Sequence, residues 1–153
     1  MAEFTFKEID TEGMETLDAI SSADKFNQWM YKTISQHCSG KILEVGSGIG
    51  NISNCFLKDG ANITLSDIRD NYCDRLRNNL KKYSPEVINI NVADPDFDKK
   101  YKHLINTFDT VFSLNVVEHI EDHVLAVKNC KKLLKDNGVL ITLVPAYQTI
   151  YNG

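Results

Sequence analysis

Apolar positions along this chain recur in two alternating rhythms. Short continuous apolar runs bounded by glycine, asparagine or aspartate mark buried strands, and stretches with apolar residues three and four apart mark helices. The pattern predicts helices over Met14–Ile20 and Asp24–His37, the second with Phe26, Trp29, Met30 and Ile34 on one face and ended by Gly40. A strand follows at Lys41–Val45, then a helix at Asn51–Lys58 closed by Gly60. "NITLSD" reads as a second strand, and residues 70–83 as a helix with Tyr72, Leu76 and Leu80 inward. After Pro85, "EVININ" is a third strand and "DTVFSLN" a fourth; Asp122–Leu134 is a helix. "GVLITLVP" is a fifth strand, launched by an Asp136-Asn137-Gly138 turn and stopped by Pro145.

Strand and helix alternate without an internal repeat, which implies an α/β protein: a Rossmann-like, doubly wound parallel sheet with helices on both faces. Ligands of such sheets bind beyond the carboxyl ends of the strands, so the residues just after each strand carry the functional information. After the first strand stands Glu44-Val45-Gly46-Ser47-Gly48-Ile49-Gly50-Asn51. Glycine admits backbone angles closed to other residues and lets a ligand approach the main chain, while the following helix presents unpaired N–H groups. A tight turn alone asks for one glycine, not three, so the spacing points to a bound cofactor. A dinucleotide fingerprint would place glycine or alanine at Asn51, and a phosphate-binding P-loop would need Gly-Lys-Ser/Thr; neither is present.

After the second strand, Asp67 can accept two hydrogen bonds from a ribose diol, and it can equally cap the helix starting near Arg69. After the third, Asp94 can accept from an exocyclic amine such as that of adenine, although Asp94-Pro95 is also an ordinary turn. After the fourth comes "SLNVVEHIEDH". The ordered set "LEVGSGIGNIS", Asp67, Asp94 and "NVVEHI" resembles class I S-adenosylmethionine-dependent methyltransferases of the small-molecule type, over about Asp24 to Tyr147. That resemblance implies S-adenosyl-L-methionine as cofactor. Gly46, Ser47 and Gly48 would line its methionine part, with Glu44 steadying the loop and Gly50 and Asn51 completing the cofactor-binding turn. Asp67 would hold the ribose, Ile68 would cover one adenine face, and Ala93 with Asp94 would meet the adenine edge. The Leu114 carbonyl, beside Asn115, would take the cofactor's ammonium. Trp29 falls where this group often closes the pocket, with a core tryptophan as the competing reading.

His119 and His123 lie four apart and could share a helix face, as a metal pair would, but the HExxH pattern is missing and no metal is expected. The resemblance assigns Glu118-His119 to the pocket wall, leaving His119 as the sole candidate for a general base. Glu118, Glu121 and Asp122 suit a helix N-terminus. Cys38, Cys55, Cys73 and Cys130 are scattered, so reduced packing thiols and a cytoplasmic setting are expected.

Composition changes little in this picture. The chain has 153 residues, 42% of them hydrophobic and 25% charged, and a net charge of −4; the set suits a single domain (residues 1–153, with N-terminal helices over 1–39 and the core over 40–153) and gives no basic excess for nucleic acid. Lys128, Lys131, Lys132 and Lys135 read as a solvated helix face. No apolar stretch approaches the roughly 20 residues that span a bilayer.

Methyltransferases of the resembled class carry seven strands in which five are ordered 3-2-1-4-5, whereas this sequence stops just after strand five. A truncated form is therefore expected, holding the cofactor half of a site for a small-molecule or sugar-lipid acceptor. Strand five would be an open edge, suited to pairing in a homodimer directly or through the Pro145–Gly153 tail. A non-catalytic cofactor-binding module and an NAD-dependent oxidoreductase are the rival readings; Asn51 and "NVVEHI" argue against the latter.

Overall fold

The computed structural model describes residues 24–145. The anticipated Met14–Ile20 helix and the tail from Ala146 lie outside the described residues. Five parallel strands form one sheet in the order β3-β2-β1-β4-β5: β1 (Ile42–Val45), β2 (Ile63–Asp67), β3 (Glu86–Asn89), β4 (Phe108–Leu114) and β5 (Leu134–Leu143). The helices are α1 (Asp24–Ser35), α2 (Asn51–Lys58), α3 (Asp70–Asn79), α4 (Phe97–Lys100) and α5 (His123–Leu133). Single tight helical turns cover Lys81–Tyr83, Lys102–Leu104 and Val117–His119. The expected fold class and strand order are those observed, and the five strands are all that the described residues contribute.

Strand residues alternate between two cores because successive side chains point to opposite faces. Leu43, Val45 and Val111 meet Phe97 of α4 and Ala126, Cys130 and Leu133 of α5. Ile42, Ile63, Leu65 and Phe112 meet Ile34 of α1, Phe56 of α2, and Leu76 and Leu80 at the end of α3. Tyr72, Leu76 and Leu80 are buried, as their spacing predicts. Burying a leucine or phenylalanine side chain of this kind contributes about 1.5–3 kcal/mol each.

Two expectations are corrected. The inward face of α1 is Asn27, Met30 and Ile34, while Phe26 and Trp29 are exposed. Trp29 is therefore not a core residue. Positions 27, 30 and 34 form one stripe at spacings of three and four, and 26 and 29 lie one step around the helix. The side chain of Tyr31, with its hydroxyl hydrogen-bonded to Asp59 and its ring edge-on to Phe56 at 4.9 Å, sets that rotation.

The second correction concerns β5, which begins at Leu134, directly after α5, and not at Gly138. Asp136-Asn137-Gly138 is a bulge inside the strand: Phe108 pairs with Leu134 but Thr110 with Val139, so four residues of β5 pass a single residue of β4. Asn137 accommodates the irregularity at φ 64, and Asp109 binds Lys135 Nζ across it at 2.9 Å. β5 lies at the sheet's outer edge, with Val139 exposed.

Candidate functional site

Because all strands run parallel, their carboxyl ends share one edge. Val45 is level with Ser66 on β2 and Ser113 on β4, and Asp67 is level with Asn89 on β3. The chain leaves β1 toward β2 and β3, then crosses to β4 on the other side. The crevice of an open α/β sheet belongs at that reversal.

There the chain turns from β1 into α2 through Gly46, Gly48 and Gly50 at φ +73, +55 and +89. Side chains other than glycine rarely adopt these angles. The turn alone thus uses all three glycines, contrary to the expectation that one would suffice. A Cβ on Gly46 would come 2.5 Å from Val116 Cγ2, and one on Gly50 would come 2.7 Å from Leu80 Cδ1. At those two positions the group crowding the backbone is the protein's own. Gly48 is different: its N–H donates to Asp67 Oδ2 at 3.3 Å.

Glu44, 5% exposed, lies under this turn and accepts a hydrogen bond on Oε2 from the buried Ser53 hydroxyl of α2. Its main-chain carbonyl accepts from Ser66 Oγ at 2.7 Å and Ser47 Oγ at 3.4 Å. Ser47 N–H donates to the Ser66 carbonyl at 2.7 Å, and Ser66 N–H returns a bond to Ser47 Oγ at 3.1 Å. Burial pushes the Glu44 carboxyl up to about 7; the Ser53 and Ser47 hydrogen bonds oppose the rise, and the charge of Asp67 adds to it. Asn79 of α3 holds the far side of the turn, donating to the Ile49 carbonyl at 3.2 Å.

Asp67, 5% exposed, is the last residue of β2. Its Oδ1 accepts from Arg69 N–H at 3.0 Å, with Arg69 Nε at 3.6 Å, while Oδ2 faces Gly48. The residue capping α3 is Arg69, so Asp67 is not that helix's N-cap. Ile68 is half-buried, and its carbonyl accepts from Asn89 Nδ2 at 2.9 Å. Asp94, 6% exposed, has Oδ1 bonded to Asp96 N–H at 2.8 Å and Oδ2 bonded to Lys100 Nζ at 2.6 Å. Ala93 beside it is half-buried.

Leu114 closes β4. Asn115 follows at φ 56, exposed, its N–H bonded to the Leu143 carbonyl at 2.9 Å. Asn51 opens α2 and is half-buried. These residues follow the carboxyl ends of the strands or open the helices after them. Trp29 is 57% exposed against Phe26, ring centroids 6.0 Å apart, and borders a shallow groove with Asp24, Lys25, Gln28 and Lys32. His119 ends the turn Val117–His119, exposed beside Glu118 at 3.9 Å, and His123 begins α5, so the two do not share one helix. Asp122 caps α5, accepting from Leu125 N–H at 2.9 Å.

All four cysteines are free; burial pushes Cys38 to about 11 and Cys130 to about 12. Sequence reasoning missed Ser53, Ser66, Val116, Lys100 and Asn129. Asn129 alone left a signal, as a polar residue inside the inward stripe Ala126, Cys130, Leu133 of α5.

The sheet order, with Asp67 and Asp94 buried after β2 and β3, defines a Rossmann-like α/β fold. The family model described as "Methyltransferase domain" matches residues 43–140, most of the chain, and the chain belongs to that family, with the class I fold of S-adenosylmethionine-dependent methyltransferases. It is 30% identical over 101 residues to the ubiquinone biosynthesis O-methyltransferase of Actinobacillus pleuropneumoniae, matching 65% of this chain and 43% of that protein. The chain thus spans less than half of that relative. An S-adenosyl-L-methionine-dependent methyltransferase assignment from Methanococcus maripaludis shares the fold at TM-score 0.72 and 20% identity, over 92% of this chain and 66% of that one. The trans-methyltransferase CalH, solved with S-adenosylhomocysteine, does so at 0.62 and 19%, over 84% and 41%. Among the described residues, no helix is long and apolar enough to cross a membrane.

Proposed function

We propose that this chain carries the cofactor half of an S-adenosyl-L-methionine-dependent methyltransferase acting on a small molecule or sugar-lipid intermediate. The observation carrying the reading is the Asp67 carboxylate at the end of β2, facing the Gly48 N–H of the turn after β1. A buried acid beside a glycine-rich turn suits a ligand that presents hydroxyl donors, and Asp94 one strand further suits one that presents an amine. The cofactor supplies, when bound, a methyl group on a sulfonium, already activated toward attack.

The chain's own residues then bind and align. Asp67 takes the ribose hydroxyls, Ile68 covers the adenine, and Asp94 with Ala93 meets its amine edge. The Leu114 carbonyl, next to Asn115, takes the ammonium, and Glu44 holds the Gly46–Gly50 turn from below. Alignment and exclusion of water carry most of the catalysis in such a displacement, and a base is required only when the acceptor must lose a proton. His119 is exposed and is assigned no step. Similarity to O-methyltransferases makes an oxygen nucleophile the first acceptor class to assay.

The test is calorimetry with S-adenosylhomocysteine on the wild-type chain and on Asp67→Ala. The expected result is binding that weakens about 10-fold in the variant, through loss of a charge-assisted pair. Equal affinity in both would remove the ribose role. Binding without methyl transfer to any acceptor would favour the non-catalytic module.

A further inference from the structure

Asn129 lies on α5, whose inward face is otherwise apolar, and it is 0% exposed. A carboxamide in such a place costs stability unless its polar atoms are used. Its Nδ2 donates to the Val92 carbonyl at 2.8 Å and to the Asp94 carbonyl at 3.2 Å, in a loop 35 and 37 residues away in sequence. Turning the amide over would set Oδ1 against two carbonyl oxygens, so the orientation is dictated by its neighbours. Oδ1 has no hydrogen-bond partner among the described residues, so the side chain is arranged around its two donor bonds.

Those two carbonyls flank Ala93. The side chain of Asp94 is directed locally by Asp96 N–H on Oδ1 and by the half-exposed Lys100 ammonium on Oδ2. These contacts aim the carboxylate relative to its own loop, but they do not tie the loop to the sheet's other half. Asn129 does so, from the helix between β4 and β5.

We infer that Asn129 is a positioning residue for adenine selectivity: its buried amide clamps the Val92 and Asp94 carbonyls and so fixes where the Asp94 carboxylate stands at the crevice. The inference rests on the cofactor reading above. It adds a determinant that touches no ligand and acts only through the Ala93–Asp94 edge.

The experiment compares the wild-type chain with Asn129→Leu and Asn129→Asp. Calorimetry measures S-adenosylhomocysteine and S-inosylhomocysteine, which carries an oxo group in place of the amine; hydrogen exchange is followed without ligand at the Asp96 and Phe97 amides, which bond to Asp94 Oδ1 and its carbonyl. In Asn129→Leu, affinity for the adenosyl compound should fall about 10-fold while the inosyl compound changes little, so their ratio collapses. Exchange at Asp96 and Phe97 should quicken while β1 amides keep their protection.

Asn129→Asp, isosteric and spared overpacking, has one O–H donor only when protonated. It can then remake one of the two bonds, so part of the lost ratio, relative to wild type, should return as pH is lowered from about 8 to about 6. A ratio unchanged in both variants overturns the inference, as does an equal loss for both compounds with faster exchange throughout the chain. Wild-type protein that binds neither compound fails at the first step, removing the cofactor reading and this inference together.

Discussion

The buried Glu44 carboxyl makes a pH-resolved prediction. Burial raises it from 4.5 to about 7. At about 1.4 kcal/mol per pH unit, that displacement is worth on the order of 3 kcal/mol. Between pH 4.5 and 7 the folded chain keeps a proton on Glu44 that the unfolded chain has released, so the unfolded state binds fewer protons and stability falls as pH rises. The contribution is whole below about 4.5 and spent above about 7. Glu44→Gln keeps the shape and can still accept from the Ser53 hydroxyl, but it does not titrate. Its new amide donors must find a partner, which offsets about 1 kcal/mol at every pH. Urea unfolding of both proteins from pH 4.5 to 8.5 is the assay. The variant should be equal or slightly weaker at the acid end and about 2–3 kcal/mol more stable at the alkaline end. A difference that stays constant across this range would refute the reasoning, since it would mean Glu44 does not change protonation differently in the two states.

Three shorter predictions accompany it. Gly46→Ala combines a φ of +73 with a Cβ 2.5 Å from Val116 Cγ2, so it should cost about 2–5 kcal/mol in denaturant melts; adding Val116→Ala should return the packing part and leave the backbone part. Trp29→Ala should change stability by no more than about 0.5 kcal/mol, because the indole is exposed and outside both cores; a loss of 3 kcal/mol, the cost of about one core aromatic, would place it in the core after all. Cys130, buried and pushed to about 12, should resist alkylation at pH 8 (a mildly alkaline assay, about four units lower) until the chain is unfolded, as followed by mass spectrometry.

Much of the architecture was legible because its signals are local. Short continuous apolar runs, helices of period 3.6 and the glycines between them give the element order, and alternation of strand and helix implies parallel strands. Asp67 and Asp94 could be singled out for the same reason: each stands directly after a strand, and parallel strands bring those ends to one edge. The positions of Tyr72, Leu76 and Leu80 follow from spacing in a helix that has one buried side.

Other features depend on contacts between distant segments. Spacing permits α1 to turn either Trp29 or Asn27 toward the sheet, and the Tyr31 contacts with Asp59 and Phe56 decide between them. The Asp136-Asn137-Gly138 turn became a bulge because β5 pairs with β4 on both sides of it, a choice made by the neighbouring strand. Glu44 reads as an acid in a loop motif, yet its buried bond to Ser53 and its raised pKa exist only after α2 packs on β1. Asn129 and the Val92–Asp94 loop meet only when α5 crosses the sheet. The sequence alone determined which segments form strands and helices and which residues end them, because those preferences act over a few neighbours; tertiary packing decided which faces are buried and which polar groups share a bond, because those energies arise between parts of the chain that local pattern cannot relate.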